Sequence, residues 1–165
     1  MKKIALVAAL AAFSVPAAAA PGDTDQTTGT ATATIVAPIS ITHTPDAALA
    51  FGTLTAGNGG TIAISSAGVA GTPTGEVKLL AGSTVSADSF SVAGDPGRSY
   101  SIVVGNGQVT NAASNTMNFT TSASKTSGTL TGGADTFSVG GTLTVSPSQA
   151  TGSYSGSYTA TVTYN

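Results

Sequence analysis

The sequence predicts an all-β fold, an immunoglobulin-like β-sandwich of short antiparallel strands, on three observations. Apolar residues recur with a period of two along most of the chain, the signature of half-buried strands. Turn-forming clusters of glycine, asparagine and proline interrupt these runs at intervals of roughly 8–12 residues, with no amphipathic helical pattern between them. The composition agrees: only 7% of the 165 residues are charged and 41% are hydrophobic, with Thr, Ser, Gly, Ala and Val filling the chain. Side chains of this kind suit a pleated surface. Disorder would couple low hydrophobicity to high net charge, and this chain has neither.

Residues 1–19 read as a secretory signal peptide. Lys2 and Lys3 precede the apolar run Ile4–Val15, and Pro16 with Ala17–Ala20 supplies small residues for cleavage after Ala19. The run is too short to cross a bilayer, and no second run of membrane length follows, so the mature chain is expected to be exported: periplasmic, on a surface fibre or extracellular. Residues 20–29 form a polar lead-in, and 30–165 a single β-sandwich domain. Its first strand is expected over 30–41, with Ala31, Ala33, Ile35, Ala37, Ile39 and Ile41 on one face and Thr30, Thr32 and Thr34 opposite. Pro38 lacks a backbone donor, which confines that strand to an edge or a bulge.

Alternating runs follow at Leu49–Leu54, Thr61–Ser65, Glu76–Leu80, Ser89–Val92, Ser99–Val104, Thr116–Thr121, Asp135–Val139 and Thr142–Ser146. Turns are expected between them, with Asn58-Gly59 and Asn106-Gly107 suited to tight hairpins and Gly140-Gly141 separating the last two runs. The last stretch alternates most clearly. Tyr154, Gly156, Tyr158, Ala160, Val162 and Tyr164 share one face of a single long strand, against Ser153, Ser155, Ser157, Thr159, Thr161 and Thr163. Phe51, Phe90, Tyr100, Phe119 and Phe137 lie on the apolar parity of their runs and are expected to point inward.

Several function classes are disfavoured by inventory. The mature part has three cationic residues, Lys78, Arg98 and Lys125, against seven carboxylates, so no basic patch exists for nucleic acid or an anionic membrane. With no cysteine, neither a thiol nucleophile nor a disulfide is available. His43, the one histidine, sits in Thr-His-Thr-Pro and reads as a surface residue. Gly152-Ser153-Tyr154-Ser155-Gly156 places tyrosine where a nucleophile elbow needs serine. Gly132-Gly133-Ala134-Asp135 is a single copy of what calcium repeats need in stacks, so it reads as a turn with a solvated Asp135. Neither enzyme activity nor a cofactor or metal is expected.

Three stretches carry a family resemblance: Ala31–Ile41 (Ala-Thr-Ala-Thr-Ile-Val-Ala-Pro-Ile-Ser-Ile), Leu49–Leu54 (Leu-Ala-Phe-Gly-Thr-Leu), and Gly152-Ser153-Tyr154 with Thr161–Tyr164. The chain resembles the DUF4402 family of exported bacterial proteins, itself similar to spore-coat-U-like subunits of archaic chaperone–usher pili. The penultimate Tyr164, with Gly152 fourteenth from the end, resembles the C-terminal pattern of chaperone–usher pilus subunits. The resemblance implies a fimbrial subunit that assembles by β-strand addition. Its donor strand would present Ala31, Ala33, Ile35, Ala37 and Ile39, and its C-terminal strand Gly152, Tyr154, Tyr158 and Tyr164. Implied partners are identical subunits, a periplasmic chaperone and an outer-membrane usher. The cysteine that archaic pilins often carry near the first strand is missing here, which leaves a second reading: a monomeric adhesion or binding module with a self-complete sandwich.

Overall fold

A computed structural model describes Gly22 and residues 26–165. The expected signal peptide, 1–19, and most of the lead-in lie outside the described residues. The chain divides into two units, 1–34 and 35–165. In the first, residues 26–34 are exposed and carry no regular structure.

The second unit is a sandwich of antiparallel sheets. Its strands are β1 (Ser40–His43), β2 (Leu54–Thr55), β3 (Gly60–Ile64), β4 (Lys78–Leu79), β5 (Asp88–Ala93), β6 (Ser99–Val104), β7 (Gly107–Asn111), β8 (Thr116–Ala123), β9 (Ser127–Thr129), β10 (Ala134–Val145), β11 (Tyr154–Ser157) and β12 (Ala160–Tyr164). The larger sheet runs β1-β5-β10-β8-β7-β11, with β3 also pairing β10. The smaller runs β12-β6-β9, and β2 and β4 form a two-stranded piece. No α-helix occurs among the described residues.

Strand β10 organises the larger sheet. Its first half pairs β5 and its second half pairs β3 along the same edge, while β8 holds the opposite edge at Val139–Leu143. Gly140-Gly141, expected as a turn, instead lies inside this continuous strand. A Cβ at Gly140 would collide with the Ile64 carbonyl, and one at Gly141 with the Thr120 carbonyl. These glycines admit close neighbouring backbones and do not reverse the chain.

Two apolar clusters fill the sandwich. One joins Ile62, Ile64, Val77, Phe119, Leu143 and Val145, flanked by Leu49, Phe51, Leu54 and Leu79. The other joins Val92, Tyr100, Ile102, Leu130, Phe137 and Val139, flanked by Ile39, Ile41, Phe90, Val162 and Tyr164. Tyr158 packs against both. Tyr100, Phe119 and Phe137 are buried as expected, and half-buried Phe51 and Phe90 pack inward too. Rings connect the clusters: Phe51 meets Phe119, Phe119 meets Tyr158, Tyr158 meets Phe90, and Phe90 stacks on Phe137 at 5.2 Å.

Three further expectations change. The single long C-terminal strand is two strands, because the chain leaves the larger sheet after Ser157 and joins the smaller one at Ala160. Gly105-Asn106-Gly107 joins β6 to β7 across the two sheets and is not a hairpin turn. Of the strand expected over 30–41, only Ser40 and Ile41 are laddered, in a strand that runs on to His43; the preceding residues form no strand.

Candidate assembly edge

Strands β1 and β12 stand at the edges of the two sheets, side by side on one flank of the sandwich. Their Cα atoms come within 8 Å, yet no hydrogen-bonded ladder joins them. The register shows what each edge offers. Gly105 donates to the Thr159 carbonyl at 2.8 Å and Asn165 to the Ser99 carbonyl at 3.1 Å, in line with the β6–β12 pairing. In an antiparallel pair the bonding residues alternate. Thr159, Thr161, Thr163 and Asn165 therefore bond β6, and the N–H and C=O groups of Ala160, Val162 and Tyr164 point away from it. On β1, Thr44 donates to the Ser89 carbonyl at 3.0 Å, so Ser40, Thr42 and Thr44 face β5. The backbone groups of Ile41 and His43 face outward. These outward-bonding residues also turn half-buried apolar side chains, Ile41, Ala160, Val162 and Tyr164, towards the core.

Polar contacts mark both ends of this gap. At one end the Tyr164 hydroxyl donates to the Ala37 carbonyl at 2.9 Å and accepts the Asp95 amide at 2.7 Å. At the other, Asp88 is the buried charged residue of the core, 5% exposed. Its Oδ2 accepts the Tyr158 hydroxyl at 2.8 Å, and its Oδ1 lies 2.6 Å from His43 Nε2 and accepts the Ser89 amide at 2.8 Å. Burial, reinforced by the hydrogen bond and charge of Asp88, pushes the Tyr158 hydroxyl pKa far above the ordinary phenol value. His43 lies at the surface as expected, with about half of its side chain exposed, and its ring also contacts Asp88.

Asp135 departs from its expected solvation. It accepts the Tyr100 hydroxyl at 2.9 Å, Lys125 Nζ at 2.6 Å and the Thr136 amide at 2.7 Å. Burial acts to raise its pKa, but those hydrogen bonds and the Lys125 charge outweigh burial and hold the carboxyl below its ordinary range. Burial, then Asp135, pushes Tyr100 up to about 12.

The expected assembly residues fall in different places. Ile35 is 97% exposed, and Ala31 and Ala33 are exposed in the stretch without regular structure. The Ala37 carbonyl is taken by Tyr164, and Ile39 packs against the domain's own core. Tyr154 lies on β11, in the larger sheet, where its hydroxyl donates to the Ala150 carbonyl at 2.7 Å, a tyrosine-corner arrangement. Gly152 is exposed before it, at φ 143°. The structure therefore brings Ala37, Ile39, Tyr158 and Tyr164 to the β1–β12 flank and leaves Tyr154 on β11, with Gly152 in the bend before it.

A family model, described as a domain of unknown function (DUF4402), matches residues 39–164. The chain belongs to the DUF4402 family. No curated protein and no solved structure is significantly similar to it. The DUF4402 match starts just before β1 and covers every strand of the sandwich, both edges of the gap included. Among the described residues of this DUF4402 chain, no group of His, Asp and Glu is placed to hold a metal ion, and no helix is long and apolar enough to cross a membrane.

Proposed function

We propose that this DUF4402 protein is an exported, non-enzymatic structural subunit that assembles into a fimbria-like fibre by β-strand addition. The observation that carries the reading is the unladdered β1–β12 flank, where two edges present backbone groups without a partner among the described residues, above half-buried apolar side chains. An extended segment from another subunit supplies the missing donors and acceptors, and its small side chains cover the apolar ones. The exposed alternating segment that includes Ala31, Ala33 and Ile35 has the chemistry of such a donor. Identical subunits, with a periplasmic chaperone and an outer-membrane usher handling them before assembly, are the partners this reading requires.

Ile35→Asp tests it. Ile35 contributes almost nothing to its own domain, since it is 97% exposed, so the variant should unfold at the same urea concentration as the parent. Seated in a neighbour's apolar gap, an unpaired carboxylate is heavily penalised. The expected result is a folded monomer that forms no fibres by electron microscopy. Normal fibres from this variant contradict the donor assignment.

A further inference from the structure

A strand seated between β1 and β12 needs its two neighbours about 9.5 Å apart, twice the ordinary spacing of about 4.8 Å. Here the Cα atoms of β1 and β12 come within 8 Å. Where they come this close the gap is too narrow for a third strand, and β1 and β12 must separate there before one is admitted along the flank. What resists that separation is visible at the His43 end. Asp88 belongs to β5, which carries β1 in its ladder, while Tyr158 opens the two-residue link that leads into β12. The Tyr158–Asp88 hydrogen bond therefore ties the sheet holding β1 to the strand on the far side of the gap. His43 Nε2 and the Ser89 amide hold the other carboxylate oxygen and fix the direction in which the carboxylate faces. At the opposite end the Tyr164 hydroxyl donates to Ala37, in the unladdered chain before β1, and accepts the Asp95 amide just after β5, a second tie that stays in place when the Tyr158 hydroxyl is removed.

We infer that the Tyr158–Asp88 hydrogen bond, oriented by His43, is a latch that keeps β1 drawn against β12 and limits the rate at which a donor strand is admitted. The latch rests on the strand-addition reading. It lets the unassembled subunit keep its apolar edge covered, and it yields when a donor strand offers more contacts than the latch provides. Tyr158 suits the role, because its ring packs against both core clusters while its hydroxyl crosses the flank.

The test uses the mature full-length protein and a fluorescent synthetic peptide spanning residues 30–41, with uptake followed by anisotropy. Tyr158→Phe removes only the hydroxyl and should raise the uptake rate at least fivefold. His43→Leu, on an exposed part of the edge strand, should raise it by a smaller factor and is the variant to read if Tyr158→Phe does not fold. Tyr100→Phe is the matched comparison: it removes a tyrosine hydroxyl from another carboxylate, Asp135, in a bond that joins β6 to β10 and involves neither β1, β5 nor the link into β12. It should destabilise the fold without speeding uptake. Equal rates in the parent, Tyr158→Phe and His43→Leu overturn the latch alone. Equal acceleration by Tyr100→Phe and Tyr158→Phe also overturns it, since general loosening then explains the effect. Uptake by none of the proteins overturns the strand-addition reading and the latch with it.

Discussion

The two core clusters are built from similar side chains but close differently. The cluster around Phe119 and Leu143 lies beneath β3, β7, β8 and the second half of β10, and Leu54 and Leu79 of the β2–β4 pair pack against it. The cluster around Tyr100 and Val92 is bounded on one flank by β1 and β12, where Ile41, Val162 and Tyr164 remain half-exposed. The first is finished by its own chain. The second ends at two unladdered edges and holds its shape there with tyrosine hydroxyls bonded to Asp88, Ala37 and Asp95. Backbone groups that bond no other described residue lie here beside incompletely buried apolar side chains, the setting that the proposed strand addition uses.

Truncations in the two regions should differ in size. Phe119→Ala, in the closed cluster, should lower the unfolding free energy by about 3–5 kcal/mol in urea titrations. Val162→Ala, on the open flank, should lower it by only about 1 kcal/mol, because its side chain is half in water already. Equal losses would mean that the flank is as closed as the core.

The Tyr100–Asp135 pair should give smaller, pH-dependent effects. Asp135 has its pKa held down in the fold, so its stabilising contribution is complete above about pH 4 and is lost as the pH falls through its folded value. Asp135→Asn should flatten the acid limb of a stability-against-pH curve below about pH 4. Tyr100 shifts the other way: its contribution is complete below pH 10 and fades as the pH rises towards about 12. Tyr100→Phe should therefore flatten the alkaline limb. Acid and alkaline limbs unchanged in these variants would contradict the Tyr100–Asp135–Lys125 network.

Much of the fold is legible in the residues. Ser99–Val104 is a strand over its predicted span, and the inward parity of Tyr100, Phe119 and Phe137 follows from period-two alternation. What alternation does not carry is which sheet a strand joins. Tyr154 to Tyr164 keeps one parity throughout, yet the chain changes sheets at Tyr158-Thr159, and nothing in the pattern marks the crossing. Likewise Gly140-Gly141 has the composition of a turn, but its glycines serve close backbone approach. Strands β7 and β9 carry too little apolar alternation to mark them, because glycine and polar residues dominate them. The carboxylates did leave a signal. Asp88 precedes Phe90 and Val92 on one parity, and Asp135 precedes Phe137 and Val139 in the same way. A charge on the buried parity of a strand must find donors, and both do.

If a third strand bonds to β1 and β12, amide hydrogen exchange with mass spectrometry on the mature protein detects it at the edge residues themselves. Adding the peptide of residues 30–41 should slow exchange at Ala160, Val162 and Tyr164 on β12 and at Ile41 and His43 on β1, while the outer edge of β11 stays as it was. Slowed exchange at β11 alone, or no change at β1 and β12 under saturating peptide, would rule out strand addition at this flank.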